Sequence, residues 1–408
     1  MTDAIQKEIS RVNLVNTLLN DQSYHIEFNG HLTNHNKHAV VALHGLGASE
    51  ERIKSYYEAY AFKTPYGYGL EAPKSSKHVI SLENWKTYLG KRTSYSSYYQ
   101  FFDSQEKKLG MDALIKEYLP TLLPGWVGSL MHGTIHLGWA LDIGNRCMTI
   151  EGLAYMAFSH VSCHPEKIIS DPNNHDHLRN KSAIDTLLFI SNIWDENSIA
   201  LKNWVEILIA ENDSSVTSCI HPELVRSGLQ YRIARLLAEG HPQIYMIPRW
   251  LETQSIHNIW EQLDYATTLV YLAYPSDFLV LHLITSLHAM KQFSNYLPSD
   301  QQKYVAQCYW VGMLCILFSR GEFPSKRVLE TLEARYKDTF DNMHTDEPSW
   351  ENIISKALQE EEEHNPKMVY VLQRIWKEYN HRSIFRVAAS HFTVTPELPK
   401  SFELPPTE

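Results

Sequence analysis

Histidines recur in pairs within apolar or glycine-containing stretches of this chain, and imidazoles so placed have the chemistry of metal binding. His35 and His38 open a run that ends at Leu46-Gly47-Ala48. His132 and His136 lie in His132-Gly133-Thr134-Ile135-His136-Leu137-Gly138, and His282 and His288 flank Leu283 to Leu287. Burying an imidazole among Leu and Ile requires a partner for its nitrogens. A neutral imidazole is also a preferred ligand for iron, zinc, copper or nickel.

The spacings differ in what they permit. His35 and His38 are i,i+3 neighbours and share a helix face. His132 and His136 are i,i+4, as in zinc helices, but no glutamate stands beside the first histidine, which excludes the metalloprotease pattern. His282 and His288 fall about 120° apart around a regular helix. Both reach one ion only if that helix bends or the ion lies between it and its neighbours. Thr285, one turn after His282, is placed to fix the tautomer of that ring. The plainer reading of each pair is a polar helix start or a satisfied core histidine.

A lysine adds to the set. Asn365 suits a helix N-cap and Pro366 its first position, ahead of the apolar stripe Met368, Val371, Leu372, Ile375, Trp376 and Tyr379. Lys367 therefore sits in the first turn at the buried edge. An ammonium there is disfavoured by desolvation and by the positive helix end. A neutral amine that takes up carbon dioxide becomes a carbamate anion able to ligate a metal; the alternative is a lysine that snorkels to water.

Other motifs fall away. Gly45-Leu46-Gly47 follows a helix-like segment rather than a strand, so no dinucleotide fingerprint is met, and neither a P-loop nor a G-x-S-x-G elbow occurs. The dipeptide His175-Asp176 lies in the polar stretch 171–180 and reads as a solvated turn.

The elements that must position these residues read as helical. Apolar residues recur with a 3.6-residue period over 5–19, 36–62 (interrupted at Gly45 to Ala48), 111–123 and 125–159. The same period marks 181–194, 199–212, 223–239, 257–272, 277–295, 300–319, 325–338, 349–359 and 367–380. Ser276 is the expected N-cap of the His282 helix, with Asp277 in its first turn. Loops are expected at 64–77, 163–181, 321–324 and 341–348. The prediction is an all-α fold: one helical domain over 1–392 surrounding a buried metal site, then a proline-rich tail over 393–408.

Composition agrees. The chain has 408 residues, 44% hydrophobic and 21% charged, which suits a soluble globular protein. A net charge of -10 argues against a nucleic-acid partner. Cys147, Cys163, Cys219, Cys308 and Cys315 show no CxxC spacing, which favours a reducing compartment. The amino terminus lacks the apolar stretch of a secretion signal. The longest apolar run, Tyr309 to Phe318, is about half of the roughly 20 residues a membrane span needs. The expected location is the cytoplasm, with no membrane partner.

Taken in order, four segments resemble the questin oxidase-like family: Asn34-His35 through Leu46-Gly47-Ala48, His132 to Ala140, Leu281 to Ala289, and Pro366-Lys367. The resemblance spans nearly the whole chain. It implies oxidative cleavage of aromatic polyketide rings of the anthraquinone type, described as Baeyer–Villiger-like. Relatives are understood as non-haem iron oxygenases whose ion is held by four histidines and a carboxylated lysine. Carried onto this chain, the implied ligands are His35, His132, His282, His288 and Lys367, with His38 and His136 as catalytic or substitute groups. The implied cofactor is Fe(II) or another divalent metal, with NADPH a candidate reductant. The implied partners are an aromatic small molecule and dioxygen, with a homodimer as a candidate assembly. Trp126, Trp139, Tyr155 and Phe158 are candidate walls for a flat substrate, or core.

The rivals are an NADPH-dependent Baeyer–Villiger-like oxidase without bound metal, an HD-type helical hydrolase at His175-Asp176, and a helical scaffold without catalysis.

Overall fold

A computed structural model describes residues 2–30, 32–170, 182–211, 228–342 and 348–397. Its helices run in chain order as α1 (Thr2–Leu19), α2 (Asn36–Gly45), α3 (Glu50–Phe62), α4 (Tyr95–Leu109), α5 (Met111–Leu122), α6 (His132–Ile143), α7 (Arg146–Phe158) and α8 (Ala183–Ala210). They continue as α9 (Leu229–Glu239), α10 (Pro242–Tyr245), α11 (Trp250–Thr253), α12 (Ile256–Ala273), α13 (Phe278–Ser294), α14 (Ser299–Ser319), α15 (Lys326–Tyr336), α16 (Trp350–Ala357), α17 (His364–Glu378) and α18 (Ser383–Ala389). Strands among the described residues are two residues long. β1 (Glu27–Phe28) pairs antiparallel with β2 (Leu32–Thr33), and β3 (Ile169–Ser170) pairs parallel with β4 (Met246–Ile247). The fold is all-α, as the 3.6-residue period predicts.

Helix α6 lies at the centre, packed on α7 and α13, while α17 packs on α2 and α13. Both α6 and α13 are apolar on nearly all sides, the pattern of a helix with no solvent face. Two glycines let backbones touch. A Cβ at Gly138 would lie 2.3 Å from Ala289 Cα of α13, and one at Gly152 of α7 would lie 2.5 Å from Leu137 Cα of α6. Any side chain at Gly138 separates the two helices that carry His132 and His282, and one at Gly152 pushes α7 off α6, at a typical overpacking cost of about 1–3 kcal/mol.

Local chemistry sets the breaks. The periodic stretch 125–159 divides because Gly144, at φ +69°, ends α6, and Asn145 then caps α7 by accepting from Met148 N–H. The segments expected at 181–194 and 199–212 join within α8, which kinks at Asn197, and its described part stops at Ala210. The N-cap of α13 is Asp277 rather than Ser276: its carboxylate accepts from Leu279 and Val280 N–H, while Ser276 is left-handed at φ +66°. Helix α17 begins at His364, ahead of the expected Pro366. Helices α4, α10, α11 and α18 are additional to those predicted.

Cys147, Cys163, Cys308 and Cys315 are free and buried. Cys219, the His175-Asp176 dipeptide and residues 398–408 of the tail lie outside the described residues. Among the described residues no helix is long and apolar enough to cross a membrane.

Candidate metal centre

Four imidazoles from four helix starts converge in the interior. His35 immediately precedes α2, His132 begins α6, His282 lies one turn into α13, and His364 begins α17. One ligand nitrogen from each lies within 4.8 Å of all the others, and all four residues are buried. Positive ends of these helices therefore surround the cluster, a field that favours negatively charged groups in its vicinity.

The hydrogen bonds fix which nitrogens face inward. His132 Nδ1 lies 2.5 Å from the Ser129 carbonyl and His282 Nδ1 lies 2.6 Å from the Phe278 carbonyl. A carbonyl oxygen only accepts, so both rings carry their proton on Nδ1 and keep a lone pair on Nε2. Those two Nε2 atoms lie 3.1 Å apart. His364 Nδ1 donates to Glu362 Oε1 at 2.6 Å, and its Nε2 has no partner. Glu362 Oε2 in turn accepts from the N–H groups of His364 and Asn365. Thr285 plays no part in fixing His282, since its hydroxyl turns back to the His282 carbonyl.

Lys367 completes the inner ring. Its Nζ lies 2.9 Å from His35 Nδ1, and the residue is fully buried, so it does not snorkel. Burial pulls the amine down to about 8 against the opposing pull of Glu363 and Glu362. Burial likewise raises Glu363 to about 8, helped by Glu362 beside it, and neither of its oxygens has a partner. The same desolvation holds His35, His132, His282 and His364 well below the ordinary imidazole value. Neutral imidazoles with lone pairs aimed at a common point form a donor set for a transition metal, and these residues fit one.

The turn that presents His132 is strained. Ser129, Leu130 and Met131 are left-handed in succession, at φ +46°, +50° and +68°. For residues other than glycine this costs about 1–2 kcal/mol each. The strain aims the Ser129 carbonyl at His132. It is held by Arg92, whose Nη1 donates to Ser129 Oγ at 2.8 Å, by Glu27, whose Oε1 accepts from that hydroxyl at 2.9 Å, and by the Gln230 side chain on Leu130 N–H.

The questin oxidase-like family profile matches residues 32–372, a span that contains the four clustered histidines and Lys367. The chain belongs to the questin oxidase-like family. Membership implies an oxidoreductase acting on a small molecule, and the buried four-histidine group could hold a metal ion. No curated protein matches the chain.

In this questin oxidase-like chain the geometry separates the predicted site residues into two groups. His35, His132, His282 and Lys367 meet. His288 does not: its Nε2 sits 3.4 Å from Asp142 Oδ2, and its ring packs edge-on against Trp139. Helix α13 carries His282 and His288 on different faces, as the 120° offset requires, and His364 is the fourth imidazole of the cluster. His38 and His136 lie behind His35. His38 Nδ1 is 3.2 Å from His35 Nδ1, and His136 Nε2 is 3.2 Å from Glu151 Oε2.

His364 escaped the sequence reading because it follows four glutamates that look solvated. Its signal was the i,i+3 relation to Lys367, which puts both on one face of α17. Trp126, Trp139, Tyr155 and Phe158 are fully buried and pack on Tyr309, on Tyr370 and on each other, as core residues do. The ring beside the cluster is instead Phe278, half-buried, with its centroid 4.8 Å from those of both His282 and His364.

Proposed function

We propose that this chain is a metal-dependent oxygenase of aromatic, polyketide-like substrates, with His35, His132, His282, His364 and a carboxylated Lys367 as ligands of ferrous iron. The observation that carries the reading is the pair of Nε2 lone pairs of His132 and His282 facing each other at 3.1 Å, with the unpartnered Nε2 of His364 in the same group. Three of the rings have their Nδ1 protons committed to oxygens, and burial disfavours a proton at the centre, so a metal cation is the remaining way to satisfy them.

The chain's own residues divide the work. Ser129, Phe278 and Glu362 orient three imidazoles. Burial lowers the Lys367 amine to about 8, which makes the neutral form, the one that adds carbon dioxide, more accessible than in an exposed lysine. Glu363, raised to about 8, retains a proton to offer the resulting carbamate. Phe278 packs on the His282 and His364 rings, limiting water beside them. A ferrous ion held by this set would supply the electrons that activate dioxygen towards the substrate. NADPH is the candidate external reductant, and the cytoplasm the proposed location.

The test is metal content after anaerobic purification, read by plasma emission. About one iron per chain is expected in the wild type, with loss in His364→Ala and His282→Ala and retention in His288→Ala. A wild type without stoichiometric metal, or a His288→Ala variant that alone loses it, overturns the assignment.

A further inference from the structure

Past α18 the chain runs back across the starts of α13 and α17 at residues 391–394. Helix α13 carries His282, and α17 carries His364 and Lys367. Tyr271 of α12 donates to the His391 carbonyl at 2.7 Å. Thr393 is buried, with its N–H, carbonyl and hydroxyl all engaged. Its N–H donates to Asn365 Oδ1 at 2.8 Å, and its carbonyl accepts from Asn365 Nδ2 at 3.0 Å. Its hydroxyl donates to the Ser276 carbonyl at 2.7 Å.

Both anchor points sit beside the groups that aim the imidazoles. Asn365 N–H donates to Glu362 Oε2, and the other oxygen of Glu362 takes the His364 Nδ1 proton. Ser276, left-handed at φ +66°, precedes the Asp277 cap and Phe278, whose carbonyl takes the His282 Nδ1 proton. The His282 and His364 rings meet with centroids 4.9 Å apart. At their far ends α13 and α17 are joined by Lys291, which donates to both Glu378 oxygens at 2.6 Å. At the near ends, among the described residues, no hydrogen bond joins 276–282 to 362–367 directly, and Thr393 bridges them.

We infer that Thr393 is a positioning residue that clamps the turn ahead of α13 to the start of α17 and so holds His282 and His364 against each other. Packed rings slide over one another at little cost, whereas a hydrogen bond weakens steeply off its line. The clamp therefore fixes the register of two helix starts that ring contacts alone leave loose. Thr393 lies past residue 372, where the family match ends, so family membership assigns it no role.

The plainer role for these bonds is to tie down the C-terminal segment. That role makes no demand on the helix starts, and the two are separable. The inference rests on the ligand roles proposed for His282 and His364, but its main test uses metal-free protein.

Amide hydrogen exchange, resolved to single residues, is measured on the metal-free, full-length chain. Thr393→Val keeps the shape and the backbone pair with Asn365 but removes the hydroxyl from the Ser276 carbonyl. The amides of Leu279 to His282, with those of His364 and Asn365, are expected to exchange about tenfold faster. Those of His132 to His136 in α6 should stay as in the wild type, and Thr393→Ser should restore the rest. Unchanged rates, an increase shared equally by α6, or no rescue by serine overturns the inference. Should Thr393→Val not fold, the wild type decides alone. A Thr393 amide that exchanges faster than both helix starts shows them ordered with the clamp open, which overturns the inference; one as slow as they are supports it. Cobalt(II) adds a spectroscopic signature: the visible bands of the loaded chain should shift in Thr393→Val and return in Thr393→Ser, and bands that do not move count against the clamp. A chain that takes no cobalt sinks the ligand reading and leaves the exchange measurement decisive.

Discussion

His132 Nε2 and His282 Nε2 stand 3.1 Å apart, and neither can donate to the other, because each ring has committed its proton to a backbone carbonyl. Facing lone pairs at this distance repel. The pair is thus an electrostatic conflict in the interior that a cation bound between them would relieve.

The burial of these imidazoles should appear as pH-dependent stability. Burial holds His35, His38, His132, His282 and His364 well below 6.5 in the folded chain. Their folded values lie below the unfolded ones, so the unfolded state binds more protons and stability falls as pH drops below about 6.5. Each imidazole steepens the loss by up to about 1.4 kcal/mol per pH unit. Glu363 acts oppositely: raised to about 8, its contribution is present below its unfolded 4.5 and is lost as pH rises towards 8. Glu362, raised to about 7, and Asp264, raised to about 6, act in the same direction as Glu363, and between pH 6.5 and 5 the five imidazoles outweigh these three carboxyls. Urea midpoints of the metal-free chain are expected to drop over that interval, and a flat profile would contradict neutral, buried rings.

Glu27 is expected to matter for metal affinity although it does not touch the cluster. It pairs with Arg92 and accepts from Ser129 and Tyr155, which ties down the left-handed turn ahead of His132. Replacing such a supporting group typically weakens metal binding by about 10–100-fold. Cobalt(II) titration against a competing chelator should show that loss in Glu27→Gln. Unchanged affinity would mean that the turn holds its shape without the carboxylate.

Phe278 is half-buried and packs on the His282 and His364 rings, so Phe278→Ala should speed metal removal by a chelator several-fold while sparing the metal stoichiometry at rest. Stopped-flow chelation measures it. An unchanged rate would place the exchange path elsewhere.

Much of the helical frame was readable because aliphatic residues mark its period, and His35, His132 and His282 stood out as polar groups in apolar runs. Helix α4 was not readable in this way: its buried face is built from Tyr98, Phe101 and Phe102 amid serines and tyrosines. The offset between His282 and His288 already argued against a shared ion, and the straight course of α13 gives that argument its weight. The turn at Ser129 to Met131 leaves no trace in the sequence, since left-handed residues other than glycine are imposed by tertiary contacts rather than by local preference. Glu362 and Glu363 read as surface charge because burying them makes sense only beside Lys367 and His364, whose own burial depends on the assembled fold.

The contact between His35 and Lys367 joins positions 332 residues apart. During synthesis the early imidazoles wait, incomplete, until α17 has emerged and docked. Loading of the proposed ion would thus be a late event in the life of each molecule, and any fragment ending before residue 364 lacks both the fourth imidazole and the amine.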